Sequence, residues 1–296
     1  MVSAEARAEL QRLFAAKSPD PPLPILRREW EAAARLEVLP TGSRFSRVEI
    51  GALSGEWMEM PRVARDYVFL LLHGGGYNAG SPRTHRKLAA HLSRAAHMRV
   101  LTPEYRLAPE HPFPAAVKDA LTAYGWLLGQ GISADHVVVG GDSAGGGLAI
   151  SMLLALREAG ATMPLAVVLM SPWVDLTTSM PSYRSNRKYD ACVTLESLRQ
   201  AAQWYAGERD PADPMLSPVF SDLSGLPPML IHAAADEMMV DEARALAEGA
   251  GKAGVAATLK IYEGVWHAFH GAGMEIPESR QAIDEIGTYL RVLKGE

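Results

Sequence analysis

The sequence predicts an α/β fold: a mostly parallel central sheet with helices on both faces. Three observations carry this. Short apolar runs alternate with longer amphipathic ones from residue 67 to the end, and strand–helix alternation is the pattern of parallel sheets. The runs starting at 67, 136, 165 and 229 do not alternate polar and apolar residues, as expected of strands buried on both faces. Between one such run and a small-residue, helix-compatible segment lies Gly-Asp-Ser-Ala-Gly, residues 141–145, a serine framed by glycines at a strand-to-helix turn.

The elements follow in order. Residues 1 to about 40 carry helical spacing at Leu10, Leu13 and Phe14, then the turn-rich Ser-Pro-Asp-Pro-Pro-Leu-Pro at 18–24. Arg47–Ile50 and Glu56–Met60, around Gly51 and Gly55, read as an antiparallel edge pair. Tyr67–Leu72 is a strand, Pro82–Ala96 a helix, Arg99–Thr102 a strand and Ala115–Leu128 a helix. His136–Gly140 is a strand, Ser143–Ala159 a helix and Leu165–Met170 a strand. Met229–Ala234 and Thr258–Tyr262 are strands, each followed by a helix, Asp241–Ala253 and Ser279–Leu293. Two segments break the alternation: residues 1–45, and residues 180–212 with their aromatic residues. Both are expected to cap the carboxyl end of the sheet, where α/β proteins place their ligands. That leaves 46–179 and 213–296 as a single catalytic domain.

Composition narrows the function. The chain has 296 residues, 48% of them apolar, and a formal net charge of −5. An acidic chain with scattered Lys and Arg argues against a nucleic-acid partner and a polybasic membrane patch. No apolar run approaches the ~20 residues of a membrane span, and the first residues lack the basic-then-apolar pattern of a signal peptide. Cys192 is the single cysteine, which fits a cytoplasmic location. Neither metal-ligand spacing nor a phosphate loop is present, so no cofactor and no metal are expected.

The glycine-framed serine points to acyl transfer, which needs a nucleophile, a base, an acid to orient the base, and donors for the oxyanion. Ser143 is the expected nucleophile. Of the histidines that follow it, His232 lies inside an apolar strand and reads as a core residue. His267 lies in the loop after Thr258–Tyr262, at a strand's carboxyl end, and is the expected base; His270 reads as structural. For the acid, Asp236 sits just past Met229–Ala234, whereas Asp241 reads as a helix N-terminal residue favoured by the dipole. His73-Gly74-Gly75-Gly76 directly follows a strand. Consecutive glycines let backbone N–H groups face a ligand with no Cβ in the way. The Gly74, Gly75 and Gly76 amides, with Gly75 and Gly76 favoured, and the amide of Ala144 are the expected oxyanion donors.

These residues resemble the hormone-sensitive-lipase-like carboxylesterases, the bacterial branch with the Gly-Asp-Ser-Ala-Gly elbow. The likeness rests on His73–Gly76 with Gly80-Ser81, on Tyr105-Arg106-Leu107-Ala108-Pro109-Glu110 through Ala116, on Gly141–Gly146 and on Ser171-Pro172-Trp173-Val174-Asp175-Leu176. It continues through Asp213-Pro214 to Ser217-Pro218, Gly225-Leu226-Pro227-Pro228, Asp236 and His267-Ala268-Phe269. The resemblance implies an α/β-hydrolase fold with a helical cap and a Ser143–Asp236–His267 triad. It also implies a small-molecule ester as substrate and a homodimer through the 258–262 strand. Arg106, Glu110 and Asp119 are expected to fix the loop below the site. Tyr77, Trp173, Tyr183, Trp204 and Met238 are the candidate substrate-binding residues, and Cys192 reads as packing. The leading function is a serine carboxylesterase for short- to medium-chain acyl esters. A lactone hydrolase or amidase would use the same triad, and a non-catalytic binding protein on this scaffold would lack one of its members.

Overall fold

In the computed structural model, residues 2–17 and 21–296 are described; positions 18–20 of the turn-rich stretch lie outside them. The strands are β1 (Arg44–Ile50), β2 (Leu53–Glu59), β3 (Ala64–Leu72), β4 (Met98–Pro103), β5 (Val137–Asp142), β6 (Ala166–Met170), β7 (Met229–Ala234) and β8 (Ala257–Tyr262). They form one sheet in the order β1-β2-β4-β3-β5-β6-β7-β8. β2 pairs antiparallel with β1 and β4, and every pairing from β4 to β8 is parallel. The helices are α1 (Ala4–Ala16), α2 (Leu23–Leu36), α3 (Arg86–Ala96), α4 (Ala115–Gly129), α5 (Ala144–Glu158), α6 (Ser182–Ser185), α7 (Leu195–Ala206), α8 (Val240–Lys252) and α9 (Pro277–Lys294).

The apolar runs become central strands because their side chains alternate between two cores. Leu70, Leu72, Val137 and Val139 face α4, α5 and α8. Phe69, Leu71, Val138 and Val168 face α3 and α9. Element ends mostly shift by one or two residues from expectation. β5 runs on to Asp142 because Gly140, Gly141 and Asp142 still pair with β6. The helix expected from Pro82 opens instead as a tight 3-10 turn, Arg83–His85, before α3. There Ser81 and Thr84 satisfy each other's backbone amides through their hydroxyls. The edge hairpin turns at Gly51, and Gly55 lies inside β2; a Cβ at Gly55 would press on Ile50 and the Thr102 carbonyl.

The helical segments outside the alternation are held differently from one another. α7 opens with a reciprocal cap between Thr194 and Ser197 and buries Leu198, Ala201 and Tyr205. α2 buries no residue fully. It is held by polar contacts: Arg27 donates to the carbonyls of Asn78 and Ala108, each at 2.7 Å, and pairs with both oxygens of Glu110. The expected Arg106–Asp119 brace is present. Glu110 is not part of it; its partner is Arg27.

Candidate active site

Ser143 follows β5 with φ +52° and ψ −122°, a conformation that costs a non-glycine residue about 1–3 kcal/mol. The surroundings hold it there. Its N–H donates to the Met170 carbonyl at 2.9 Å, and its own carbonyl accepts from Gly146, Gly147 and Trp173. Gly141 and Gly145 pack directly on the backbone of β3: a Cβ at either would run into the Leu72 carbonyl. This backbone-on-backbone contact is why glycines frame the serine.

His267 lies past β8. Its Nδ1 is 2.8 Å from Glu237 Oε2. A carboxylate only accepts, so Nδ1 carries the proton. Nε2 is buried without a partner, and His267 and Ser143 line one cavity. Burial opposes the imidazolium, yet the facing Glu237 carboxylate outweighs it and raises the His267 pKa. The amide of Ala268 donates to Ser171 Oγ at 3.1 Å and steadies this loop.

The expected acid is corrected by one position. Asp236 is exposed, and Glu237 is the carboxylate against His267. Beyond β7 the chain turns, so neighbouring side chains point in opposite directions. Glu237, 1% exposed, points inward and also accepts from the Ala234 amide. Asn186 bridges the carbonyls of Ala235 and Glu237 and fixes the turn. The signal in the sequence was the adjacent pair Asp236-Glu237; spacing alone could not say which carboxylate faces in.

The glycines divide as well. The Gly74 amide is committed inside the protein, donating to Asp142 Oδ1 at 3.1 Å. For the amides of Gly75, Gly76 and Ala144 no protein acceptor occurs among the described residues; Gly75 and Gly76 line the cavity with Ser143, and Ala144 follows Ser143 in the chain. Gly75 has φ +115° and Gly76 φ +61°, which a glycine adopts without strain. Behind them His73 stacks on Tyr105, whose hydroxyl donates to the His73 carbonyl at 2.6 Å. Burial lowers the His73 pKa to about 3, so the ring stays neutral. His85 Nε2 sits 3.2 Å from Asp142. Burial works against its charge, but Asp142 wins and raises its pKa.

The cavity over Ser143 has a volume of about 840 Å³. Of the candidate substrate-binding residues, Trp204 lines it. Tyr77, Trp173, Tyr183 and Met238 do not: they are at most 1% exposed and belong to the packed core under the site. Large aromatic groups bury more apolar area in a core than in an open cleft. Cys192, expected to pack, is exposed and lines the cavity instead. His232 bonds His270 at 3.2 Å, but its Nε2 and His270 Nδ1 are without partners. Among the described residues no three His, Cys, Asp or Glu side chains could together hold a metal ion, and no helix is long and apolar enough to cross a membrane.

Residues 69–271 match the family model of the alpha/beta hydrolase fold. An acetyl-hydrolase of Streptomyces hygroscopicus is 42% identical over 249 residues, 84% of this chain and 83% of that protein. An esterase of Acinetobacter venetianus is 35% identical over 83% of this chain and 81% of its own length. A crystal structure of an esterase from the bacterial hormone-sensitive lipase family superposes with a TM-score of 0.94 at 39% identity, covering 99% of both chains. The chain belongs to the alpha/beta-hydrolase family, in its bacterial hormone-sensitive-lipase-like esterase branch. It is a carboxylic ester hydrolase, and the family works through an acyl-enzyme.

Proposed function

We propose that this esterase cleaves short- to medium-chain acyl esters with Ser143 as nucleophile, His267 as base and Glu237 as the acid that orients it. The observation that carries the reading is His267 itself: one ring nitrogen on Glu237, the other free and buried, in the cavity that Ser143 also lines. Ser143 Oγ attacks the ester carbonyl as His267 Nε2 takes its proton. Glu237 stabilises the imidazolium without taking its proton. The developing oxyanion lies among the amides of Gly75, Gly76 and Ala144, each such donor being worth about 3–4 kcal/mol. The tetrahedral adduct collapses, His267 protonates the departing alkoxide, and the alcohol leaves. Water repeats the sequence on the acyl-enzyme and releases the acid. The likeness to the Streptomyces acetyl-hydrolase supports a short acyl group.

Residues 1–45 and 180–212 act as the cap of this reading, over a catalytic domain of 46–179 and 213–296. β1 begins at Arg44, two residues before that boundary. β8 ends the sheet with an unpaired edge and a half-buried face, which suits pairing with a second copy. Light scattering that gives a monomer at all micromolar concentrations would remove the dimer. A cytoplasmic location accords with the single cysteine. The activity is tested with p-nitrophenyl esters from acetate to palmitate. Turnover should peak at short or medium chains and fall roughly 10⁶-fold in Ser143→Ala. A variant that retains activity would remove Ser143 as nucleophile.

A further inference from the structure

The turn that carries Gly75 and Gly76 is tied down by a buried charged pair. Gly74, the residue before them, donates its amide to Asp142 Oδ1 at 3.1 Å, and Nε2 of His85 lies 3.2 Å from the same amide. A Cβ at Gly74 would run into the Asp142 carboxylate, so only a glycine lets the turn sit this close. Asp142 ends β5 directly before Ser143, and His85 closes the 3-10 turn before α3. His85 is 9% exposed and Asp142 8%. Both line the cavity with Ser143, and the mechanism above uses neither.

Hydrogen-bond partners fix the state of the His85 ring. Nε2 is 3.2 Å from Asp142 Oδ1. A carboxylate only accepts, so Nε2 carries a proton. Nδ1 is 2.9 Å from Thr84 Oγ1, whose own proton goes to the Ser81 carbonyl at 2.9 Å, and 3.3 Å from that carbonyl. Both oxygens accept from Nδ1, so it carries a proton as well and the ring is an imidazolium. Asp142 needs that charge, because a buried carboxylate without a countercharge is costly. Of the other rings near Asp142, His73 is held neutral by burial and His267 faces Glu237. Glu37 also favours the charge on His85. We propose that His85 is a positioning residue for the reaction: its imidazolium, paired with Asp142, pins the Gly74 amide and so sets where the Gly75 and Gly76 amides point. This rests on the esterase reading above, in which those two amides are oxyanion donors, and names the group that aims them. Without the proton, the Nε2 lone pair would face the Asp142 carboxylate, the pair would part, and Gly74 would lose its fixed acceptor. The tie continues outward, because the Ser81 hydroxyl donates to Glu31 of α2.

Two variants separate positioning from packing. His85→Leu keeps bulk and removes both donors. His85→Gln keeps one donor for Asp142 and removes the charge. With p-nitrophenyl acetate, kcat should fall roughly 100-fold in His85→Leu and about tenfold in His85→Gln, with KM within a few-fold of native in both. A trifluoromethyl ketone forms a serine adduct whose oxyanion takes the same donors. Its affinity should drop by the same factor as kcat/KM. A folded His85→Leu with native kcat overturns the proposal. So does a variant in which KM rises and kcat holds, since His85 would then be a substrate contact. If neither variant folds, a neutron structure of the native protein at pH 7 still decides. Deuterium on both ring nitrogens of His85 supports the ion pair, and a bare ring nitrogen overturns it. A native enzyme that turns over no ester, or a Ser143→Ala variant that keeps its activity, would instead remove the esterase reading beneath.

Discussion

The elbow at Ser143 and the helix α2 above it face the same cavity and are built on opposite principles. The elbow is backbone packed on backbone. Gly141, Gly145 and Ser143 contact β3 and β6 with no side chain between, and strain at Ser143 is held by fixed amides and carbonyls. α2 has no fully buried residue and is fastened by the guanidinium of Arg27 and by Glu31, which contacts Ser81 and Arg83. Close packing resists displacement at every atom. A half-exposed polar fastening is worth little in stability, yet it sets position. The packing around the elbow fixes Ser143, whereas α2 is held by polar contacts alone.

The largest effect should come from breaking the packed side of that comparison. Gly145→Ala places a methyl against the Leu72 and His73 carbonyls, and neither can move without shifting β3. A loss above about 4 kcal/mol is expected, read as failure to unfold cooperatively in urea. Gly125→Ala is the control. It lies exposed within α4 with nothing within 4 Å of a new Cβ, so it should gain about 0.5–1 kcal/mol. Equal effects at the two glycines would contradict the packing account.

On the fastened side, Arg27→Ala should leave the unfolding midpoint within a few degrees, because the guanidinium is partly exposed. It should lower kcat/KM by roughly tenfold through looser placement of the turn at Asn78, which hydrogen-bonds the Gly75 carbonyl. Unchanged kinetics would mean that α2 does not position Gly75 and Gly76 for the proposed oxyanion role.

The smallest effect is in the pH dependence of stability. Burial lowers His73 to about 3 and His232 to about 4. Below an unfolded pKa of about 6.5 the unfolded chain takes up protons that these rings refuse, so stability falls as pH drops, by about 1.4 kcal/mol per unit per ring. His85 and His267 are raised; their contribution is fully present below 6.5 and does not offset this slope. Unfolding free energy between about pH 6.5 and pH 5 should therefore decline less steeply in His232→Gln than in the native protein. The same slope in both would rule out His232 as one of the titrating groups.

The strands, the elbow that holds Ser143, the loop of His267 past β8 and the glycine turn after β3 were legible in the sequence as positions in the fold, because each depends on local pattern: apolar runs, and glycines where backbones meet. Glu237 was not. Whether residue 236 or 237 faces His267 depends on how the turn after β7 is held by Asn186, which comes from a distant segment. The pocket was misread for a related reason. Tyr77 and Trp173 are near Ser143 in space, but whether they line a cleft or fill a core depends on Tyr205 from α7. The role of Gly74 was hidden because its amide is taken by Asp142, a contact between the turn after β3 and the end of β5 that spacing does not show.

The most direct test is the pH–rate profile of Glu237→Gln beside that of Asp236→Asn. Asp236→Asn should match the native enzyme in kcat/KM and in its acidic limb. Glu237→Gln should lose roughly 10⁴-fold in kcat/KM. Its acidic limb should move to lower pH, because the carboxylate that raises the His267 pKa is gone. A large loss in Asp236→Asn with Glu237→Gln left near native would contradict the assignment of Glu237 and restore the acid one residue earlier.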